Sequence, residues 1–251
     1  MNLLETRNPH ERDNHITFDE EPHIYTIDGD SNYMSVTTWN HSHFSHFDAD
    51  AVISGMMSSQ KWHINKYYGK TREEIKAMWE QNGAEASAAG TKLHYDIECF
   101  YNEMPVTNDS VEYKYFKNFI RDFPDLRPYR TEWMVWDKEL KFAGSIDMVY
   151  EKSDGTLLIY DWKRTKDIKK TTSFVQFSHT DCISHIPDTN FWHYSLQLNT
   201  YKAIVEKNYG KVVTDMVLVR LHPNSNNYQL IPVPNLQEEI KALFALRKSM
   251  L

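Results

Sequence analysis

The segment from Gly144 to Lys163 constrains this chain most. Its first arm reads Ser145-Ile-Asp-Met-Val-Tyr150 and its second Leu157-Leu-Ile-Tyr-Asp-Trp-Lys163, joined across Ser153-Asp-Gly-Thr156. Asp-Gly between apolar runs specifies a tight β-hairpin. Strand side chains alternate faces, so Asp161 and Lys163 share one face and Trp162 takes the other. Counting back from a turn centred on Asp154-Gly155 sets Asp147 across from Asp161, to within one position, on the same side of the sheet. Leu157 to Tyr160 shows no polar alternation and reads as a buried central strand. An Asp-x-Lys triplet alone is most often a solvated ion pair worth little. At the end of a buried strand, opposite a second carboxylate, it has to be paired or functional. Two converging carboxylates repel unless a positive charge lies between them, and oxygen ligands suit a hard divalent cation such as Mg²⁺ or Mn²⁺.

The rest of the pattern predicts a mixed chain. Residues 16–27 read as a hairpin and Ser35-Val-Thr-Thr38 as a short strand. Helices are expected over 48–68, 71–81, 84–102, 110–122 and from Tyr194 to Tyr209, where Gly210 supplies a C-terminal cap. Strands are expected over 129–136, 142–151, 157–163, 212–221 and 227–233, and a last helix from Asn235 with Glu238 as a capping box. This is an α/β (α+β) chain with the hairpin in a central sheet. We expect an N-terminal strand and helix extension over residues 1–89, covering a core of residues 90–251.

A net charge of -7 argues against a uniformly basic nucleic-acid binder, but its distribution matters. Residues 1–30 carry 8 acids and 2 basic residues, leaving 27 acids and 26 basic residues for the remainder. Lys163, Arg164, Lys166, Lys169 and Lys170 form a basic run that begins at the proposed site, where a phosphate backbone would lie. The two cysteines, Cys99 and Cys182, cannot build a disulfide framework, so an intracellular compartment, cytoplasm or nucleus, is expected. No apolar run reaches membrane-span length, so no membrane partner is expected.

His94 and Glu98 lie four apart, as do Gln197 and Tyr201, each pair on one helix face, with Tyr194 three residues before Gln197. Ordered along the chain, the set is Gly90-x3-His94-x3-Glu98, Glu132, Gly144-x2-Asp147, Asp161-x-Lys163 and Gln197-x3-Tyr201. This order and spacing resembles the PD-(D/E)XK nuclease superfamily in its RecB-like branch, to which the mitochondrial genome maintenance exonuclease belongs. The segment from Ile186 to Tyr201 also looks like stand-alone members from phages and large DNA viruses.

The resemblance implies a restriction-endonuclease-like central mixed sheet flanked by helices. It implies a Mg²⁺- or Mn²⁺-dependent deoxyribonuclease, an exonuclease working on single-stranded DNA or DNA with free ends in replication, repair or recombination. A structure-specific endonuclease and a non-catalytic nucleic-acid-binding subunit are the alternatives. Asp147, Asp161, the Trp162 backbone carbonyl and His94 would be metal ligands. Lys163 would orient water and stabilise charge, Gln197 and Tyr201 would position the strand, and Glu98 and Glu132 would support the metal. Arg164, Lys166, Lys169, Lys170 and Tyr194 would contact DNA. The superfamily's Pro is absent, with Ile146 before Asp147. Two cysteines exclude the four-cysteine iron–sulfur cluster of some relatives. No P-loop is present in the sequence. His41, His43 and His46, and His179, Cys182 and His185, lack usual zinc spacing and are expected to be polar loops. Trp39 to Phe47, with Trp62, Tyr67 and Tyr68, is the expected aromatic wall beside the site.

Overall fold

The computed structural model describes residues 3–172 and 175–251. A mixed sheet of six strands carries the fold: β3 (Met34–Ser35), β4 (Arg127–Asp137), β5 (Phe142–Glu151), β6 (Leu157–Lys163), β7 (Val213–Arg220) and β8 (Gln229–Pro232). β4, β5 and β6 run antiparallel, β6 and β7 parallel, and β7 and β8 antiparallel. The parallel step needs a crossover, which α6 (Asn190–Asn208) supplies. A separate hairpin pairs β1 (Ile16–Asp19) with β2 (Ile24–Ile27), as expected.

Apolar side chains leave both faces of the sheet. One face buries Trp133, Ile146, Ile159 and Leu218 against α6 and α2 (Val36–His41). The other buries Met148, Tyr150 and Trp162 against α4 (Arg72–Tyr101) and α5 (Val111–Asp122), through Leu93, Ile97, Phe116 and Phe119. β6 is buried from Leu157 to Trp162, so it is the central strand its composition predicted. The aromatic content goes largely into these cores, with Trp133 and Trp162 fully buried.

Four local expectations change. Ser35-Val-Thr-Thr38 is not a strand beyond Ser35, because the Ser35 hydroxyl accepts the Thr38 N–H and caps α2. The helix expected over 48–68 is shorter, α3 (Ala49–Ser58) followed by a single 3₁₀ turn at Trp62–Ile64. The two helices expected over 71–81 and 84–102 are one 30-residue helix, α4, opened by a Thr71–Glu74 capping box. Gly83 weakens but does not break it, and the Ala-rich run beyond restores helix propensity. α4 thus runs unbroken across the 89/90 position. Finally, α7 (Gln237–Ser249) lacks the Asn235–Glu238 box: Asn235 Oδ1 takes the Gln237 N–H, and the Leu236 N–H goes to Asn199.

Candidate active site

The site grows from a gap in the sheet. On the edge of β5 away from β4, β3 pairs only with Phe142 and Ala143, and β6 pairs only from Met148 onward. Residues 144–147 of β5 therefore carry no strand on that edge. The register of Met148 with Tyr160 places Asp147 across from Asp161, as the turn count predicted. The ladder has stopped there, and the Asp147 side chain accepts the Trp162 N–H at 2.9 Å in its place. On the β4 side, Thr131 pairs with Met148 and Trp133 with Ile146. Glu132 lies between them with φ +42°, a left-handed conformation costly for a residue with a side chain and characteristic of functional sites.

These strand irregularities aim carboxylates at α4. His94 Nδ1 lies 3.5 Å from Asp147 Oδ2 and 4.0 Å from Glu132 Oε1. Ligand atoms of His94, Glu132 and Asp147 all fall within 4.8 Å of one another. His94 Nε2 donates to the Trp162 carbonyl at 2.8 Å, which in the neutral ring leaves the Nδ1 lone pair facing the carboxylates. The Trp162 carbonyl, also expected as a ligand, accepts this bond and so fixes the tautomer of the His94 ring. Ser145 donates to Glu132 at 2.9 Å, a contact no sequence signal announced. Burial, then Asp147, pushes the Glu132 carboxyl up to about 8, and burial raises Glu98 in the same cleft. Two carboxylates and an imidazole crowded enough to hold a proton so tightly fit a divalent cation.

Asp161 stands beside this cluster, 2% exposed. Its Oδ2 lies 2.7 Å from Lys163 Nζ, but has no aligned hydrogen-bond donor. Burial raises the Asp161 carboxyl to about 6, with Lys163 opposing and Asp147 adding to the rise. For Lys163 burial works to lower the pKa, but Asp161 and Asp147 outweigh it and hold the ammonium above its ordinary value. Nζ also lies 4.6 Å above the Tyr194 ring. The expected trio of Asp147, Asp161 and Lys163 is thus assembled, with Tyr194 against the lysine.

Gly144 explains itself through Tyr201. A Cβ on Gly144 would lie 2.8 Å from the Tyr201 Cε1 and hydroxyl. The glycine lets the tyrosine, 3% exposed, pack against the strand gap, with Gln197 donating to its hydroxyl at 3.4 Å.

Other expected residues separate. Arg164 is turned inward, its Nε 2.6 Å from Glu112 Oε1 and its side chain 18% exposed, so it ties β6 to α5 and is withdrawn from the surface. Lys166, Lys169 and Lys170 are exposed. Their loop is strapped to α6: Asn190 bonds Asp167 and Lys169 backbone groups, and Trp192 Nε1 donates to the Lys170 carbonyl. The aromatic wall is largely core, since Trp39, Phe44 and Tyr67 are buried and only Phe47 and Tyr68 present large exposed rings. Among the described residues neither histidine cluster gathers three ligand groups; His43 instead faces Thr180 at 2.9 Å, joining the two loops.

A cleft of about 1480 Å³ opens on the α4 side of the cluster, lined by His94, Glu98, Glu132 and by Glu5, Asp13 and Glu20 from the N-terminal segment. Its two lining cations are engaged, Arg130 with Asp13 at 2.7 Å and Lys92 with Asp96 at 2.8 Å.

No curated protein matches the chain. Among solved structures, a candidate exonuclease from Eubacterium rectale is 13% identical, over 87% of this chain and 82% of that one, with a TM-score of 0.40. The protein SSO0001 is 14% identical, over 88% and 77%, with a TM-score of 0.37. The family model described as the PD-(D/E)XK nuclease superfamily matches residues 64–249, which takes in every residue of the constellation, and the chain belongs to that superfamily.

Proposed function

We propose that this protein is a Mg²⁺- or Mn²⁺-dependent deoxyribonuclease that hydrolyses phosphodiester bonds from DNA ends, serving DNA repair or recombination. The convergence of His94, Glu132 and Asp147 on the strand gap beside Asp161 and Lys163 carries the reading. His94 through Nδ1, Asp147, Asp161 and Glu132 would hold the cation, with Glu98 behind them. When bound, the cation polarises the phosphate and makes water a competent nucleophile at neutral pH. Lys163, held charged by its two carboxylate neighbours, orients that water and offsets negative charge building on the phosphoryl oxygens. Tyr201 and Gln197 line the gap and set the position of the strand.

The charge around the site supports end dependence. A strand running on into the cleft would meet Glu5, Asp13 and Glu20, with the cations there already paired. Approach from the side of Lys163 and the exposed Lys166, Lys169 and Lys170 is favourable. In this reading residues 1–89 roof the active site of the 90–251 core and close one side of it, so a strand enters and stops. Phe47 and Tyr68 remain available for stacking on bases.

Digestion of end-labelled linear DNA beside covalently closed circles, each single- and double-stranded, tests the reading. Linear DNA should shorten progressively from an end while circles persist. Rapid nicking of closed circles would make the enzyme an endonuclease.

A further inference from the structure

The stripe of α6 that carries Tyr201 and Gln197 continues one turn further, to His193. Positions 193, 197 and 201 are successive i, i+4 neighbours, about 6 Å apart along the helix. Tyr201 is buried, whereas Gln197 and His193 are progressively nearer the N-terminal end of α6, where the basic loop is strapped. His193 is held firmly: Nε2 lies 2.9 Å from Asp188 Oδ1, and the ring packs 4.1 Å from Phe44. His41, exposed in the last turn of α2, places its ring 5.5 Å from that of His193. Lys163 faces His41 closely enough for its charge to act on the imidazole. Tyr194, beside His193 in sequence, lies under the Lys163 ammonium. Lys163, His41 and His193 thus make an arc of nitrogen-bearing groups along the N-terminal part of α6.

We infer that His41 and His193 form a phosphate subsite next to the scissile position, holding a phosphate one step along the strand from the one cleaved. This rests on the nuclease reading above. The ligand is a phosphate group, either the phosphodiester adjoining the cleaved bond or the phosphomonoester of a strand terminus. Partial burial depresses the basicity of both rings, with Asp188 acting against it on each. Around His41 the charged neighbours are Lys163, Asp188 and His46, and around His193 they are Asp188 and His41. One carboxylate for two imidazoles leaves room for a second anion, and a phosphate oxygen on the ring nitrogens away from Asp188 supplies it. Asp188 is a positioning residue: it accepts the Nε2–H of His193, so the phosphate meets Nδ1, which donates once the ring takes up a proton together with the anion.

The test is a binding cycle, independent of turnover. Kd is measured by fluorescence anisotropy in EDTA for oligonucleotides in which a single neutral methylphosphonate replaces each phosphate in turn. Parallel oligonucleotides carry 5′-phosphate, 3′-phosphate or hydroxyl ends. For the native protein, neutralising one phosphate or removing one terminal phosphate should weaken binding roughly tenfold or more, the worth of a charge-assisted hydrogen bond. His41→Ala, at an exposed position, and His193→Gln, which keeps side-chain bulk, should each lose a similar factor on the fully charged strand. Neither should lose more when that same phosphate is neutral. A penalty at an internal linkage identifies the phosphodiester, and one at a terminus identifies the phosphomonoester. The inference is overturned if the variants bind the charged strand as the native protein does, or if their losses are equal for charged and neutral strands at every position. Absence of cleavage with Mg²⁺ or Mn²⁺ would instead overturn the nuclease reading.

Discussion

Gly144→Ala perturbs the site by the smallest possible addition, one methyl group. The added Cβ would lie 2.8 Å from two Tyr201 atoms and 3.2 Å from a third. Carbon atoms in contact prefer roughly 3.5–4.0 Å. The tyrosine cannot swing into solvent, because it is 3% exposed and belongs to the core that includes Ile146, Leu198 and Ile204. The strand cannot retreat either, because β4 is paired along its other edge. Overpacking of this kind costs about 1–3 kcal/mol. In a chain of this size each kcal/mol lowers Tm by roughly 2–4 °C, so Tm should fall by about 2–12 °C. Activity should fall further, because a shift of about 1 Å in a positioning group can cost on the order of a hundredfold. Thermal melts and cleavage rates of Gly144→Ala, Tyr201→Phe and the double variant form the assay. Tyr201→Phe removes one of the two closest atoms, so the double variant should recover part of the lost stability. A Gly144→Ala protein within about 0.5 kcal/mol of the native one, the range of an ordinary surface change, would refute the packing argument.

Three further outcomes follow from the site. Lys163→Ala should cut turnover by orders of magnitude with nearly unchanged DNA affinity, since the ammonium acts on charge developing in the transition state, whereas Asp161→Asn should also weaken metal binding in a titration; both variants within a few-fold of native activity would remove the pair from the site. Glu132 and Asp161 bind protons more tightly folded than unfolded, at about 8 against 4.5 and about 6 against 3.8. Their favourable contribution to the metal-free fold is therefore complete below about pH 4 and lost as pH rises through about 6 and then 8, while Mg²⁺, which needs ionised ligands, should stabilise more as pH rises. Melts of native and Glu132→Gln protein should show the steeper decline in the native protein, and parallel curves would contradict it. Replacing Lys166, Lys169 and Lys170 by Ala should flatten the salt dependence of DNA binding by about one log–log unit per contact, whereas Arg164→Ala should lower Tm by breaking the Glu112 pair; an unchanged slope returns the three lysines to plain surface.

The hairpin was legible because its information is local: an Asp-Gly turn and strand alternation place Asp147 against Asp161 without knowledge of anything else. The i, i+4 spacing on α4 and α6 likewise brought out His94 with Glu98 and Gln197 with Tyr201. Legibility ended where a tertiary partner decides. Arg164 reads as part of a basic run, but Glu112, far away in sequence, draws it inward. Trp39 and Phe44 read as available aromatics, but Trp39 on α2 and Phe44 in the loop after it pack against α6 and its surroundings. The left-handed backbone at Glu132 and the strand gap over 144–147 arise from how β3, β4 and β6 meet β5, which no single segment encodes. His193 did carry a signal, one helical turn before Gln197, but its meaning depends on His41 arriving from another helix.

Cleavage of end-labelled DNA in excess EDTA, followed by restoration with Mg²⁺ or Mn²⁺, tests most directly whether His94, Glu132, Asp147 and Asp161 form a catalytic metal centre. Hydrolysis should be absent in EDTA, return with either cation, and fail to return in Asp147→Asn protein that melts as a folded chain. Undiminished cleavage in EDTA, or full restoration in Asp147→Asn, would contradict it.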